Sequence, residues 1–157
     1  MMTLQPKTPR FGMGRVYLDA NSEALRRGDR RVGTEHVLLA LLKNPDSVTA
    51  RALEVDLDTA RAALLALDRH ALHTVGIGAD VTGPVFPGRE GEGLRLTPAA
   101  RVVFTGSGKE KAKGERIGIQ HVLLSLLPRQ PPDPVADLLG VLGVDRADVR
   151  ARLRAFS

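Results

Sequence analysis

Residues 31–42 read Arg-Val-Gly-Thr-Glu-His-Val-Leu-Leu-Ala-Leu-Leu, and residues 116–127 read Arg-Ile-Gly-Ile-Gln-His-Val-Leu-Leu-Ser-Leu-Leu. Eight of the twelve positions are identical at an offset of 85, including the Gly, the His and every Leu. Leucine richness could align a few positions by chance, but not the Arg, Gly and His as well. The chain is therefore two copies of one unit, and the unit sets the fold before any site is considered.

Each copy reads as four helices. In the first, Val16, Tyr17, Ala20, Ala24 and Leu25 recur with helical period from about Arg15 to Arg27, and Gly28 follows as a stop. A second helix, capped by Thr34, carries Val37, Leu38, Leu41 and Leu42 on one broad apolar stripe. After the turn at Asn44-Pro45-Asp46, Asp46 or Ser47 caps a short helix through Leu53. Asp56 or Asp58 opens a fourth, with Ala60, Leu64 and Leu67 inward.

The second copy keeps the order. Thr97-Pro98 starts its first helix, although Gly106, Gly108 and Gly114 predict that this helix is eroded. Gly118 to Leu127 repeats the leucine helix, Asp133-Pro134 starts the third, and Asp145 caps a fourth that carries Val149, Leu153 and Phe156. Val55-Asp56 recurs as Val144-Asp145, so the offset has grown from 85 to 89, with four residues inserted near Pro128–Pro132.

These signals predict an all-α fold of two pseudo-symmetric four-helix repeats packed as one globular domain, and no strand pattern competes. Residues 1–9 are expected to be a flexible N-terminus and 10–157 the domain. Within it lie repeat one at about 10–73, a flexible connection at 74–95 containing Pro84, Pro87 and six glycines, and repeat two at 96–157.

Composition narrows the function. No apolar run approaches the roughly 20 residues that span a bilayer, and the N-terminal residues lack a secretory pattern. Cysteine is absent, which fits a cytoplasmic location. The net charge is +5 and the pI about 10.2, but the basic residues are scattered along helices. With four Phe, one Tyr and no Trp there is no base-stacking platform, which argues against nucleic-acid binding.

Catalytic and metal chemistry find little support. Gly106-Ser107-Gly108-Lys109-Glu110 looks like a phosphate loop, but Val103 stands where its first Gly belongs and Glu110 replaces the required Ser or Thr. His36 and His121 match at the starts of the leucine helices, where bonding to nearby backbone explains them better than catalysis. His70 and His73 lie three apart on one helix face, an incomplete metal site. No cofactor, metal or catalytic residue is expected, and the chain is read as a non-enzyme and a monomer.

The run Gly33–Leu42, its copy at 118–127, Leu96-Thr97-Pro98-Ala99-Ala100-Arg101-Val102-Val103 and Ala20-Asn21-Ser22-Glu23-Ala24 resemble the N-terminal domain of Clp/Hsp100 unfoldases. The resemblance covers about Pro9 to Phe156 and is to a free-standing form without the ATPase modules. It implies a module that recognises peptides, substrates or adaptors, or modulates a Clp unfoldase–protease, and so regulates proteolysis. A scavenger of peptide-like small molecules or antibiotics is the alternative, with a cyclic peptide as ligand.

By the same resemblance, the groove where the first helices of the two repeats meet would involve Tyr17, Leu18, Leu96, Arg101 and Phe104. In domains of the ClpC type, a Glu and a Thr near the start of each repeat help bind phosphoarginine. Repeat one keeps Glu35 without a secure Thr, and repeat two keeps Thr97 but has Gln120 for Glu, which disfavours that ligand. Without a ligand, Glu35 would merely offset the helix dipole, and the apolar groove residues would be core.

Overall fold

In the computed structural model the described residues are 13–74, 93–110 and 117–156. Repeat one contains α1 (Met13–Arg27), β1 (Arg31–Val32), α2 (Thr34–Leu41), α3 (Val48–Leu53) and α4 (Leu57–Thr74). Repeat two contains β2 (Arg95–Leu96), α5 (Pro98–Glu110), α6 (Ile119–Leu126), α7 (Pro134–Val141) and α8 (Arg146–Ala155). The all-α architecture of two four-helix units is as the duplication implies.

Most helix boundaries follow local chemistry. Ser47 accepts from the Ala50 amide at 3.1 Å, Asp56 from Thr59 at 2.7 Å, Thr97 from Ala100 at 3.1 Å and Asp145 from Asp148 at 3.1 Å. Each satisfies one of the orphan N–H groups of a first helical turn. At the other end, α1 closes on Gly28 at φ +77°, with Gly28 N–H donating to Leu25 and Asp29 N–H to Ala24, the paired bonds of a Schellman stop. Gly143 closes α7 the same way at φ +68°.

Thr34 is a correction. It is the first residue of α2 rather than its cap; Gly33 is the cap, and the Thr34 hydroxyl is buried against the Asp133 carboxylate of the other repeat. A side chain pulled into the interior cannot fold back on its own helix start.

Two further expectations change. Repeat two's first helix is not eroded: α5 runs through Gly106 and Gly108 to Glu110, because Ala100, Val103 and Ser107 are buried and the helix packs along α6. Gly114 lies outside the described residues. Phe156, just past the end of α8, is 37% exposed, with its ring 4.4 Å from the Arg51 guanidinium.

A short strand pair, invisible in the residue pattern, also exists. β1 and β2 run parallel with Arg31 opposite Arg95 and Val32 opposite Leu96. The end of the expected connection, Leu94 and Arg95, is thereby anchored, while 1–12 and 75–92 lie outside the described residues.

The core is shared. α2 is buried on every side except at Glu35 and touches α1 and α4 of its own repeat and α5, α6 and α7 of the other. Pairings between the repeats come in matched sets: α2 with α5 and α6 with α1, α2 with α7 and α6 with α3, α4 with α7 and α8 with α3. That is the signature of a pseudo-twofold axis through the α2–α6 contact. Leu38, Leu39, Leu123, Leu126 and Leu127 are wholly inaccessible, each contributing about 2 kcal/mol.

Glu54 sits in the left-handed region at φ +56°, at the position in repeat one that Gly143 holds in repeat two. An L side chain there costs roughly 1–2 kcal/mol, partly offset by the entropy a Gly loses on folding. Its ion pair with Arg152 is long at 3.5 Å and exposed, so it returns little. Glu54→Gly should therefore raise stability by up to about 1 kcal/mol, and Gly143→Ala should lower it by about as much, in urea unfolding.

Candidate functional site

The strand pair organises the surface singled out by the sequence. Tyr17, half-buried on α1, donates its hydroxyl to the Leu94 carbonyl at 2.8 Å, and the neighbouring Asn21 side chain accepts from the Leu94 amide at 2.8 Å. These two residues of repeat one hold the chain entering repeat two. Thr97 N–H then donates to the Val32 carbonyl at 2.9 Å. Thr97 thus stands beside Val32, which lies three residues before Glu35 in the segment that leads into α2. The Thr of repeat two and the Glu of repeat one flank one strand pair, whereas the sequence suggests pairing within each repeat.

Glu35 is the second residue of α2 and its side chain folds back over Gly33, whose missing Cβ leaves the room. Gln120 folds over Gly118 in the same manner at the start of α6. This explains why both copies carry Gly at that position although its backbone is extended and open to any residue. Beneath Glu35 the His36 ring is buried. Its Nδ1 accepts the Gly33 N–H at 2.9 Å, so Nε2 carries the proton and donates to Asp29 Oδ2 at 2.7 Å. His121 accepts from Gly118 N–H through Nδ1 at 2.8 Å.

Charges surround that ring. Arg27 donates to Asp29 at 2.9 Å and also to Asp68 on α4, and Arg61 grips the buried Glu23 with two bonds of 2.8 and 2.6 Å. A cleft of about 320 Å³ opens among Arg27, Asp29, Arg61 and Asp68, with Leu39 and Leu65 also in its lining. Burial pushes the Asp29 carboxyl up, but hydrogen bonds from His36 and Arg27 outweigh it and hold the group below its ordinary value. Glu35 behaves oppositely: burial lifts its pKa, against the opposing pull of His36.

The remaining predicted residues divide. Leu96 lies in β2 and is half-buried, and Phe104 is half-buried against the core. Leu18 is 55% exposed and Arg101 faces solvent. The structure therefore brings Tyr17, Leu96, Thr97 and the approach to Glu35 around the strand pair, while Gln120 occupies the corresponding place at the start of α6. His70 and His73 are exposed on α4, and among the described residues no group of three or more His, Cys, Asp or Glu could hold a metal ion. Asn21 lies in the Ala20–Ala24 segment that carries the resemblance, but residue type alone does not mark its hold on the Leu94 amide. The Gly106–Glu110 run is helix, not a phosphate loop.

Glu35→Gln imports the residue that repeat two already uses and removes a carboxylate ionised against burial. A folded pKa raised above the ordinary 4.5 means the penalty is absent below that value and grows as pH rises through the folded pKa. The variant should melt above the parent at pH 7, and the gain should shrink as pH falls through the ordinary Glu value and vanish by pH ~3; an equal gain at both pH values would contradict this.

Comparison with known proteins agrees with this architecture. Residues 13–140 match the family model described as the Clp repeat (R) N-terminal domain. The ATP-dependent Clp protease ATP-binding subunit ClpC of Staphylococcus aureus (strain USA300) is 29% identical over 141 residues, covering 88% of this chain and 16% of that protein. The subunit of the same name from Staphylococcus saprophyticus is 28% identical over the same span, with the same coverage. The chain thus spans about one-sixth of the length of these curated relatives. With the paired repeats, the shared leucine core and the family match together, the chain belongs to the Clp repeat N-terminal domain family.

Proposed function

We propose that the chain is a non-enzymatic recognition module that binds client peptides, substrates or adaptors of a Clp unfoldase–protease. The proposed face is built from Tyr17, Leu18, Glu35, Leu96, Thr97, Arg101 and Phe104. What supports it first is the family, since the relatives are subunits of a Clp protease and the chain matches a portion of them. The observation that carries it is the cross-repeat assembly at the strand pair. Tyr17 and Thr97 commit polar atoms to ordering the backbone there, and Leu18 remains exposed beside them on α1.

Chemistry favours binding over catalysis. His36 spends both ring nitrogens on Gly33 and Asp29, leaving neither for proton transfer. An exposed leucine following the half-buried Tyr17 suits the apolar side chains of an unfolded segment, and Arg101 on α5 is an exposed charge.

Fluorescence anisotropy with labelled, permanently unfolded casein tests the reading. Wild-type protein should bind saturably, and Leu18→Glu should weaken binding by roughly tenfold, the scale of a central apolar contact. Because Leu18 is exposed, its melting temperature should not change. Casein binding that is absent, or that is unaffected by Leu18→Glu, would overturn the proposal for this face.

A further inference from the structure

The two repeats serve as controls for each other at a place outside the strand-pair face. The exposure patterns of α1 and α5 superimpose when Val16 is matched to Val103 and Ala20 to Ser107, all four buried. In that register Arg15 corresponds to Val102 and Asp19 to Gly106. The leucine helices add Ala40 opposite Ser125 and Lys43 opposite Pro128.

Repeat one fills this place with charge. The buried Asp19 carboxylate lies 3.4 Å from Arg15 and 3.6 Å from Lys43. Repeat two has emptied it: the carboxylate has become Gly106, both cations have become Val102 and Pro128, and the Ala methyl has become a hydroxyl. What remains is a pocket of about 380 Å³ lined by Val102, Val103, Gly106, Ser125, Arg129 and Gln130, with Pro128.

Its floor is chemically unfinished. Ser125 Oγ is buried and makes no hydrogen bond. It faces the space over Gly106, where a Cβ would sit 3.8 Å from it. A buried hydroxyl without a partner costs stability, and the matched Ala40 shows that the fold does not require one. At the rim Val102 is 55% exposed, an apolar side chain left in water. Arg129 adds no free charge, because its Nε donates to Asp133 at 2.7 Å.

We propose that this pocket, on the side of α5 away from Phe104 and Arg101, binds a neutral aliphatic residue of a peptide. Val102, Val103 and Pro128 receive the side chain. The Ser125 hydroxyl and the Gln130 amide, each able to donate and accept, meet the flanking peptide groups. Electroneutrality of the walls excludes a charged ligand, whose desolvation nothing here would repay. The ligand class rests on the peptide-binding function proposed above. The probe below reads the pocket alone, so its outcome and that of the casein titration fail separately.

The test is titration of the whole ¹⁵N-labelled chain with N-acetyl-leucine N-methylamide, followed by NMR. Saturable shifts should appear at the amides of Gly106, Ser125 and Gln130. Ser125→Ala should weaken binding about three- to tenfold, the range for one lost hydrogen bond. Gly106→Ala, whose added methyl meets only ordinary contact, should weaken it as well. Neither variant should melt below wild type, since one removes an orphan hydroxyl and the other a helical Gly. No saturable shifts at these amides, unchanged affinity in both variants, or equal binding of the N-acetyl-leucinate anion would overturn the proposal.

Discussion

α2 is apolar or buried around almost its whole circumference, and a helix of that kind cannot exist at the surface of one small unit. Four helices cannot enclose it, so the second repeat supplies the missing wall through α5, α6 and α7. The counterpart α6 makes the same demand in reverse, on α1 and α3. The pseudo-twofold arrangement is the solution to two identical packing problems, and everything at the surface is positioned by it. The strand pair forms where repeat one's entry into α2 meets repeat two's entry into α5.

Polar bonds between the repeats refine that packing and break its symmetry. Asp133 caps α7 through the Val135 amide, receives Arg129, and accepts the Thr34 hydroxyl from repeat one. The corresponding residue of repeat two, Ile119, is simply buried. Arg152 reaches the Ala52 carbonyl at 2.6 Å, and Arg51 covers Phe156. Three of the four mismatches in the duplicated run therefore have different meanings. Thr34 against Ile119 is structural, Glu35 against Gln120 alters charge over a matched glycine, and Ala40 against Ser125 leaves an unsatisfied hydroxyl. Only the last two bear on ligands.

Legibility in the sequence tracked the distance over which each interaction acts. Caps at Ser47, Thr97 and Asp145 and the stop at Gly28 involve residues within one turn, so residue type alone announces them. Thr34 has its partner 99 residues away, and an oxygen before a leucine helix looks like a cap whichever way it points. α5 outlasts its glycines because burial against α6 outweighs propensity. At the candidate site, Tyr17, Leu96, Thr97 and Glu35 are singled out by the family resemblance and not by periodicity or spacing. Their joining across the repeats was not legible, since two-residue strands leave no periodic trace. Residue type likewise could not reveal that Leu18 is exposed while Phe104 is half-buried.

If the leucine core is truly shared, neither repeat can unfold alone. Native-state hydrogen exchange in increasing urea measures this directly at the amides of Leu39 in α2 and Leu126 in α6, both wholly buried. A single cooperative unit predicts that the two exchange through one opening event, with the same free energy and the same urea dependence. Two opening events with distinct free energies, one for each repeat, would contradict the shared core and the face built upon it.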